Sequence, residues 1–205
     1  MKAKSDSNDN ELLRSMLAGD EEALAVLYRR RQAGIYRFAL HMCGSPAVAE
    51  DITQEVFMFL MREGDSFDPL RGSVSGFLMG VARNLVLRRL RGDQHLSSMV
   101  DDFEENSITG QTVADKSPLD HLTRVETIEA VKIAVLSLPE KYREVVVLCE
   151  LQEISYAEAA EILGCAIGTI RSRLHRARAL LLEKLQPTEE ENASSATVKS
   201  ARCFA

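Results

Sequence analysis

Residues 155–178 read SYAEAAEILGCAIGTIRSRLHRAR, and this stretch decides the fold of the second half of the chain. Ser155 followed by Glu158 fits a capping box, in which the serine hydroxyl accepts an amide hydrogen of the first helical turn. A helix therefore begins just after Ser155. It ends before Gly164, because glycine adopts the left-handed backbone that terminates helices. Apolar periodicity resumes at Ile167, so two short helices around a tight turn predict a helix-turn-helix.

The second helix of this motif has two chemically different faces. At 100° per residue its apolar stripe consists of Ile170, Leu174, Ala177 and Leu181. The opposite side carries Arg171, Ser172, His175 and Arg176, with Arg173 and Arg178 at its edges. Arginine can bond guanine O6 and N7 in a bidentate manner, whereas arginines at the edge suit phosphates. The pattern predicts a helix that reads DNA in the major groove.

Other interpretations of this helix are a solvated basic face in an ordinary bundle, or a metal site at His175. The capped helix and turn that precede this helix favour DNA reading over a solvated basic face. No Cys or His stands at helical spacing from His175, so no metal site is expected.

The rest of the chain is predicted to be all-α, with two small helical domains joined by a flexible acidic linker. Helical periodicity extends over most of residues 11–92 and again from about 121 to 186, the second block containing the helix-turn-helix. We expect a disordered N-terminus, a first domain, a linker, a second domain and a disordered tail at residues 1–10, 11–92, 93–120, 121–186 and 187–205.

Seven carboxylates against the single Lys116 make residues 93–120 strongly acidic. Such a segment is either a passive tether or a ligand for the arginine stripes of both domains. In the second case the linker would hinder DNA binding by the free protein, and a partner that holds the two domains apart would relieve the hindrance.

Composition excludes several classes of protein. The 205-residue chain has a net charge of −6, so any DNA contact must come from local basic patches. Neither a membrane-spanning run nor a secretory signal is evident, so we expect a cytoplasmic protein. Its four cysteines lie far apart, without the spacing of a zinc ribbon. No catalytic motif is present, so neither enzymatic activity nor a cofactor is predicted.

The first domain has two surfaces of interest. On the helix from about residue 47 to 62, a buried stripe lies beside a charged row that includes Asp51 and Glu55, while Phe57 and Met61 fall outside both. This arrangement indicates a protein-docking surface, unless Phe57 and Met61 belong to the core. On a later helix the residues Asn84, Arg88 and Arg91 form a stripe flanked by Arg83 and Arg89. That stripe either follows a phosphate backbone or is a solvated face.

Several of these stretches resemble one protein family. LPEKYREV at residues 138–145, with SYAEAA at 155–160 and GTIRSRLHRAR at 168–178, resembles the fourth conserved region of extracytoplasmic-function (ECF) sigma factors of the sigma-70 family. AEDITQEVF at 49–57 and VARNL at 81–85 are similar to the second conserved region.

The resemblance implies a non-catalytic subunit of bacterial RNA polymerase. The second domain would bind the −35 element through the helix from Ile167. In the first domain the residues for core polymerase would be Asp51, Gln54, Glu55 and Phe57. Those for the −10 element would be Phe67, Arg71, Ser73, Arg83, Asn84, Arg88 and Arg91, the first three in a loop that captures an unstacked base. An anti-sigma factor, often anchored in the membrane, would hold the protein inactive.

Two alternative functions stay open at this point. An operator-binding regulator would bind duplex DNA without polymerase, and a sigma mimic would bind only an anti-sigma factor. The chain also departs from the family pattern at Phe77, Met79 and Gly80, where aromatic and basic residues are frequent. Strand opening is therefore expected to depend on the loop before them.

Overall fold

The computed structural model describes the backbone of residues 2–97 and 118–185, and the side chains within residues 9–92 and 127–185. The described ranges contain helices and turns and no strand, which confirms the all-α prediction. The α-helices are α1 Lys2–Leu17, α2 Glu21–Cys43, α3 Pro46–Glu63, α4 Val74–Ser97, α5 Pro118–Leu136, α6 Glu140–Val146, α7 Tyr156–Leu163 and α8 Ile167–Leu185. A 3₁₀ turn (Gly64–Ser66) follows α3, and a π-helical turn (Val147–Leu151) follows α6.

Local sequence signals determine where the central helices begin and end. The Asp20 carboxylate caps α2 by accepting from the Glu22 amide at 3.0 Å. The same helix ends at Gly44, whose φ of 75° lies in the left-handed region and whose amide donates to the Leu40 carbonyl at 2.8 Å. The next residue, Ser45, caps α3. These signals bring α2 and α3 together as an antiparallel pair.

The ends of the predicted domains differ from the helices observed. Although residues 1–10 were expected to be disordered, α1 begins at Lys2. Asp9 explains the difference, because its fully buried carboxylate pairs with Arg30 at 3.1 Å and with Arg31 of α2. The helices α4 and α5 extend into the predicted linker. Residues 98–117 and the tail lie outside the described residues, so the division into domains and the role of the linker stay predictions.

The two halves of the molecule pack against each other around one continuous apolar core. Phe38 and Leu60 belong to this core in the first half, and Leu148 and Leu174 belong to it in the second. The helix α2 contacts α5 and α6, and α4 contacts α7. We call this packing of the two halves the closed arrangement. Burying a side chain the size of leucine stabilises a fold by about 1.5–3 kcal/mol, so the shared core stabilises the closed arrangement.

Candidate nucleic-acid and polymerase interfaces

The helix-turn-helix forms at the predicted residues. The Ser155 hydroxyl accepts from the Glu158 amide at 3.2 Å and so caps α7. Gly164 ends α7 with a φ of 62°, and its amide donates to the Ala160 and Glu161 carbonyls. Three residues later α8 begins at Ile167, so both helix boundaries follow the prediction.

The face of α8 that was predicted to read DNA is open to solvent. Ile170, Leu174 and Ala177 are buried beneath it, whereas Leu181 is only half-buried. The exposed residues are Arg171, Ser172, His175, Arg176 and Arg178, and Arg173 is half-buried. The helical angles therefore predicted the exposed face of α8.

Two arginines of this face contact side chains of their own domain. Arg178 donates to the Glu150 carboxylate at 2.5 Å, and this hydrogen bond raises the pKa of Arg178. A hydrogen bond from Arg176 lowers the pKa of Tyr142. Exposed ion pairs contribute little to stability. A DNA phosphate can therefore replace Glu150 as the partner of Arg178 at small cost.

The predicted docking residues on α3 do not all lie at the surface. Asp51 and Gln54 are exposed and Glu55 is half-buried. Phe57 is only 5% exposed, and its ring packs against Tyr28 with centroids 4.6 Å apart. The expectation that Phe57 is accessible is wrong, because α2 covers that side of α3. Met61, predicted beside it, is 53% exposed.

A groove between α2 and α3 adds residues that sequence reasoning missed. Its volume is about 430 Å³, and its lining includes Tyr28, Gln32, Tyr36, Glu50 and Gln54. The first three are four residues apart along α2, which is the spacing of one helix face. That spacing was a usable signal, but it does not distinguish a binding groove from core packing.

The basic stripe on α4 lies beside the acidic row on α3. Asn84, Arg88 and Arg91 are exposed, as the stripe requires. Arg88 pairs with Glu55 at 3.2 Å. Arg89 lies 3.5 Å from the Asp51 carboxylate. The predicted polymerase surface and the predicted DNA surface are therefore adjacent.

Arg83 has a different environment from the rest of the stripe. Its side chain is half-buried, and its Nε donates to the Glu144 carboxylate of α6 at 2.6 Å. Glu144 itself is 2% exposed. Nothing in the sequence pattern places these two residues together, since they are 61 positions apart and belong to different halves of the chain.

The loop before α4 faces the other half of the molecule. Phe67 is half-buried, and its ring centroid lies 5.5 Å from that of Phe77. Arg71 is exposed, whereas the Ser73 hydroxyl donates to Glu158 of α7 at 3.3 Å. A cleft of about 510 Å³ separates this loop from α7. Its lining includes Phe67, Arg71, Ser73, Asn84, Glu161 and Ile162.

Within the described ranges, no three His, Cys, Asp or Glu side chains are grouped so that they could hold a metal ion. Cys43, Cys149 and Cys165 are free thiols, and burial raises the pKa of Cys43 and Cys149. No helix of the described part is both long and apolar enough to span a bilayer.

The fold and its two basic surfaces define a two-domain helical DNA-binding protein of the sigma-70 type. The family model "Sigma-70 region 2" matches residues 27–95, and "Sigma-70, region 4" matches residues 129–181. Among solved structures, the sigma factor RpoE in complex with the anti-sigma factor NepR from Bartonella quintana superposes with a TM-score of 0.62. That match has 27% identity and covers 82% of this chain and 96% of that one. CnrH in complex with the cytosolic domain of CnrY shares the fold at 23% identity and a TM-score of 0.62, over 87% and 97% of the two chains.

Curated relatives refine this assignment. The ECF RNA polymerase sigma factor SigW of Bacillus subtilis (strain 168) is 34% identical over 178 residues, which are 85% of this chain and 95% of that protein. The ECF RNA polymerase sigma-E factor of Escherichia coli (strain K12) is 33% identical over 87% of this chain and 95% of its own. The chain belongs to the ECF sigma factors. It is a non-catalytic specificity subunit of RNA polymerase. Membership in this family favours a sigma factor over an operator-binding regulator or a sigma mimic.

Proposed function

We propose that this sigma factor reads the −35 element through α8. Arg171, Ser172, His175 and Arg176 contact base edges, while Arg173 and Arg178 hold phosphates. The observation that carries this assignment is the exposed polar face above the buried stripe of Ile170 and Leu174. A helix so divided can enter the major groove without disturbing the domain beneath it.

The experiment that tests this assignment begins with transcription from a genomic library by core polymerase plus this protein. Mapped start sites define the promoters, and each arginine variant is then tested on promoters with single base changes. A lost base contact should relax preference at one base pair, whereas a lost phosphate contact should weaken all promoters about equally. Altered preference from Arg178→Ala but not from Arg171→Ala would contradict the assignment.

The −10 element is assigned to α4 and the loop before it. Phe67, Arg71 and Ser73 would hold an unstacked base in the cleft, and Arg83, Asn84, Arg88 and Arg91 would follow the strand. Aromatic rings stack on bases, and Phe67 and Phe77 already form a ring pair at the cleft. Permanganate footprinting of the mapped promoters should show less strand opening with Arg71→Ala. Unchanged opening would remove the loop from the site.

The surface for core polymerase is assigned to Asp51, Gln54 and Glu55 of α3, beside the groove that Tyr28 and Gln32 line. Buried Phe57 supports this surface through the ring of Tyr28. Changing Asp51 to Asn together with Gln54 to Ala should weaken capture by core polymerase without loss of helical circular dichroism. Glu22→Gln, on an exposed residue of α2 away from the groove, is the control. Undiminished capture of the folded double variant would contradict the assignment.

Control by an anti-sigma factor is part of the proposal. The support is the likeness to a sigma factor whose structure was solved with one. We place the protein in the cytoplasm and expect its partner to hold it at the membrane. Fractionation of the native host should find the tagged protein with membranes before induction and in the soluble fraction afterwards. A partner purified with it should inhibit transcription from the mapped promoters. A soluble protein in both states would remove the membrane tether.

A further inference from the structure

The contact between the two halves covers part of the surface assigned to the −10 element, around Phe67, Ser73 and Arg83. The helix α4 and the loop before it face α6 and α7 of the other half. The side chains that α6 and α7 present there include three carboxylates, namely Glu144, Glu158 and Glu161. Part of a surface assigned to a polyanion is therefore occupied by anionic groups of the same chain.

Each of these carboxylates lies on a different part of that surface. Glu144 accepts from the Arg83 guanidinium at 2.6 Å. Glu158 accepts from the Ser73 hydroxyl at 3.3 Å. Glu161 lines the cleft beside Arg71, and a Cβ added to Gly72 would meet its Oε2 atom at 3.4 Å.

Burial makes the Arg83–Glu144 contact depend on the closed arrangement. Glu144 is 2% exposed, and a carboxylate in such a place is stable only while its partner remains. Separation of the halves returns both groups to water, where Arg83 becomes available to a phosphate. Contact within one chain also acts at the high effective concentration of a tethered pair, so it competes well against dilute DNA.

A second set of contacts holds the halves in the same position. Arg143 of α6 donates through Nη1 to the Met42 carbonyl at the end of α2, at 2.5 Å. Within the second half, its Nη2 donates to the Leu138 carbonyl at 3.0 Å. The side chain of Leu136 lies against Gly44. Since these contacts involve no residue assigned to DNA, they can hold the closed form without occupying the −10 surface themselves.

We propose that Glu144, Glu158 and Glu161 act as an intramolecular mimic of the −10 strand, so that the free sigma factor is autoinhibited by its own second half. This role is assigned to described residues of α6 and α7 and does not require the acidic linker. It rests on the −10 assignment proposed above. Binding to core polymerase must separate these carboxylates from α4 before single-stranded DNA can enter.

The test uses the full-length protein without polymerase. The probe is a fluorescein-labelled single-stranded oligonucleotide that carries the −10 non-template sequence of a mapped promoter. Glu158→Gln together with Glu161→Gln should raise its affinity by roughly tenfold, and adding Glu144→Gln should raise it further. The control is Glu183→Gln, which removes a carboxylate from an exposed position near the end of α8. Small-angle X-ray scattering should show a larger radius of gyration for the glutamate variants only.

Several results would overturn the proposal. Affinity equal to the parent's, or an equal rise in Glu183→Gln, would leave no specific mimicry. A rise in affinity without a larger radius of gyration would show that the glutamates act only through their charge. A larger radius of gyration without a rise in affinity would show that they hold the halves together but do not inhibit DNA binding. If the triple variant loses helical circular dichroism, the double variant decides, because Glu158 and Glu161 are not buried.

A failed −10 assignment is recognised separately in the holoenzyme. Arg71→Ala and Arg83→Ala should reduce permanganate-detected opening of the mapped promoters. If opening does not change, the −10 assignment is wrong. If opening depends on both arginines and the glutamate variants bind the oligonucleotide like the parent, only the mimicry is wrong.

Discussion

The two basic surfaces of this sigma factor differ in their accessibility. The polar face of α8 is exposed from Arg171 to Arg178, and its internal partners are few. On α4, by contrast, Arg83 is paired with a buried carboxylate, and the loop at Ser73 bonds α7. Arginine content alone therefore does not determine whether a surface can bind DNA. The difference teaches that the surface proposed for the −35 element is exposed in this molecule, whereas Ser73 and Arg83 of the surface proposed for the −10 element contact the other half.

The largest expected loss of stability comes from disturbing the apolar packing beneath the polar face of α8. Leu174 is 2% exposed under the polar face of α8, and Leu174→Ala should lower the free energy of unfolding by about 2–5 kcal/mol. Urea denaturation followed by circular dichroism measures this loss. Leu182→Ala, on a side chain that is 65% exposed, should change it by less than about 0.5 kcal/mol. Equal losses in both variants would mean that α8 does not pack as described.

The second largest expected effect is a loss of promoter preference, because the polar face of α8 proposed for the −35 element is exposed. In the holoenzyme, Arg171→Ala should cost about 1–3 kcal/mol at promoters with the preferred base and much less at promoters that lack it. Competition between such promoters in a transcription assay measures the difference. Arg178→Ala is the comparison, since an edge arginine should reduce use of all promoters similarly. Equal base preference in wild type and Arg171→Ala would contradict direct reading.

Alanine substitutions at two glycines allow the helix-turn-helix and the contact between halves to be compared by their effect on stability. Gly44 and Gly164 both end helices with positive φ, 75° and 62°. At Gly164 an added Cβ meets nothing within 4 Å, so Gly164→Ala should cost only backbone strain of about 1–2 kcal/mol. At Gly44 the Cβ would lie 3.0 Å from Leu136 of the second half. Gly44→Ala should therefore be the more destabilising variant in urea and should enlarge the radius of gyration. Equal losses would mean that Leu136 yields freely.

The smallest expected effect is a loss of stability at low pH that arises from a histidine near the contact between halves. Burial, with smaller contributions from Lys132 and Arg37, lowers the pKa of His41 in the folded protein. The unfolded state therefore binds the proton more readily. Stability from this group is complete above the unfolded pKa of about 6.5 and decreases as pH falls through the folded value. Because Lys132 belongs to α5, acid should also loosen the contact between halves.

The measurement for His41 is the urea midpoint over a pH series below neutrality. His41→Gln should remove part of the loss of stability on acidification, and Lys132→Gln should remove a smaller part. The same loss in wild type and His41→Gln would contradict this origin of the pH dependence.

Local signals predicted the parts of the candidate site that depend on a single helix. Ser155 and Gly164 marked the ends of α7, and the helical angles along α8 separated Arg171 and Arg176 from Leu174. These predictions succeeded because a capping side chain and a helix face depend on neighbours within about four residues. The position of α1 depends on the opposite kind of contact, since Asp9 pairs with Arg30 and Arg31 of the next helix, more than twenty positions away in the chain.

The sequence by itself determined an all-helical chain, the helix-turn-helix and the family to which it belongs, because periodicity and capping are local properties of the chain. Only the tertiary structure decided that Phe57 lies beneath Tyr28 and that Arg83 meets Glu144 of the other half. Helical periodicity states which residues share a face, but it does not state which element covers that face. The cover depends on how helices far apart in the chain pack, and in this protein the second half contacts part of the proposed −10 surface while the polar face of α8 is left exposed.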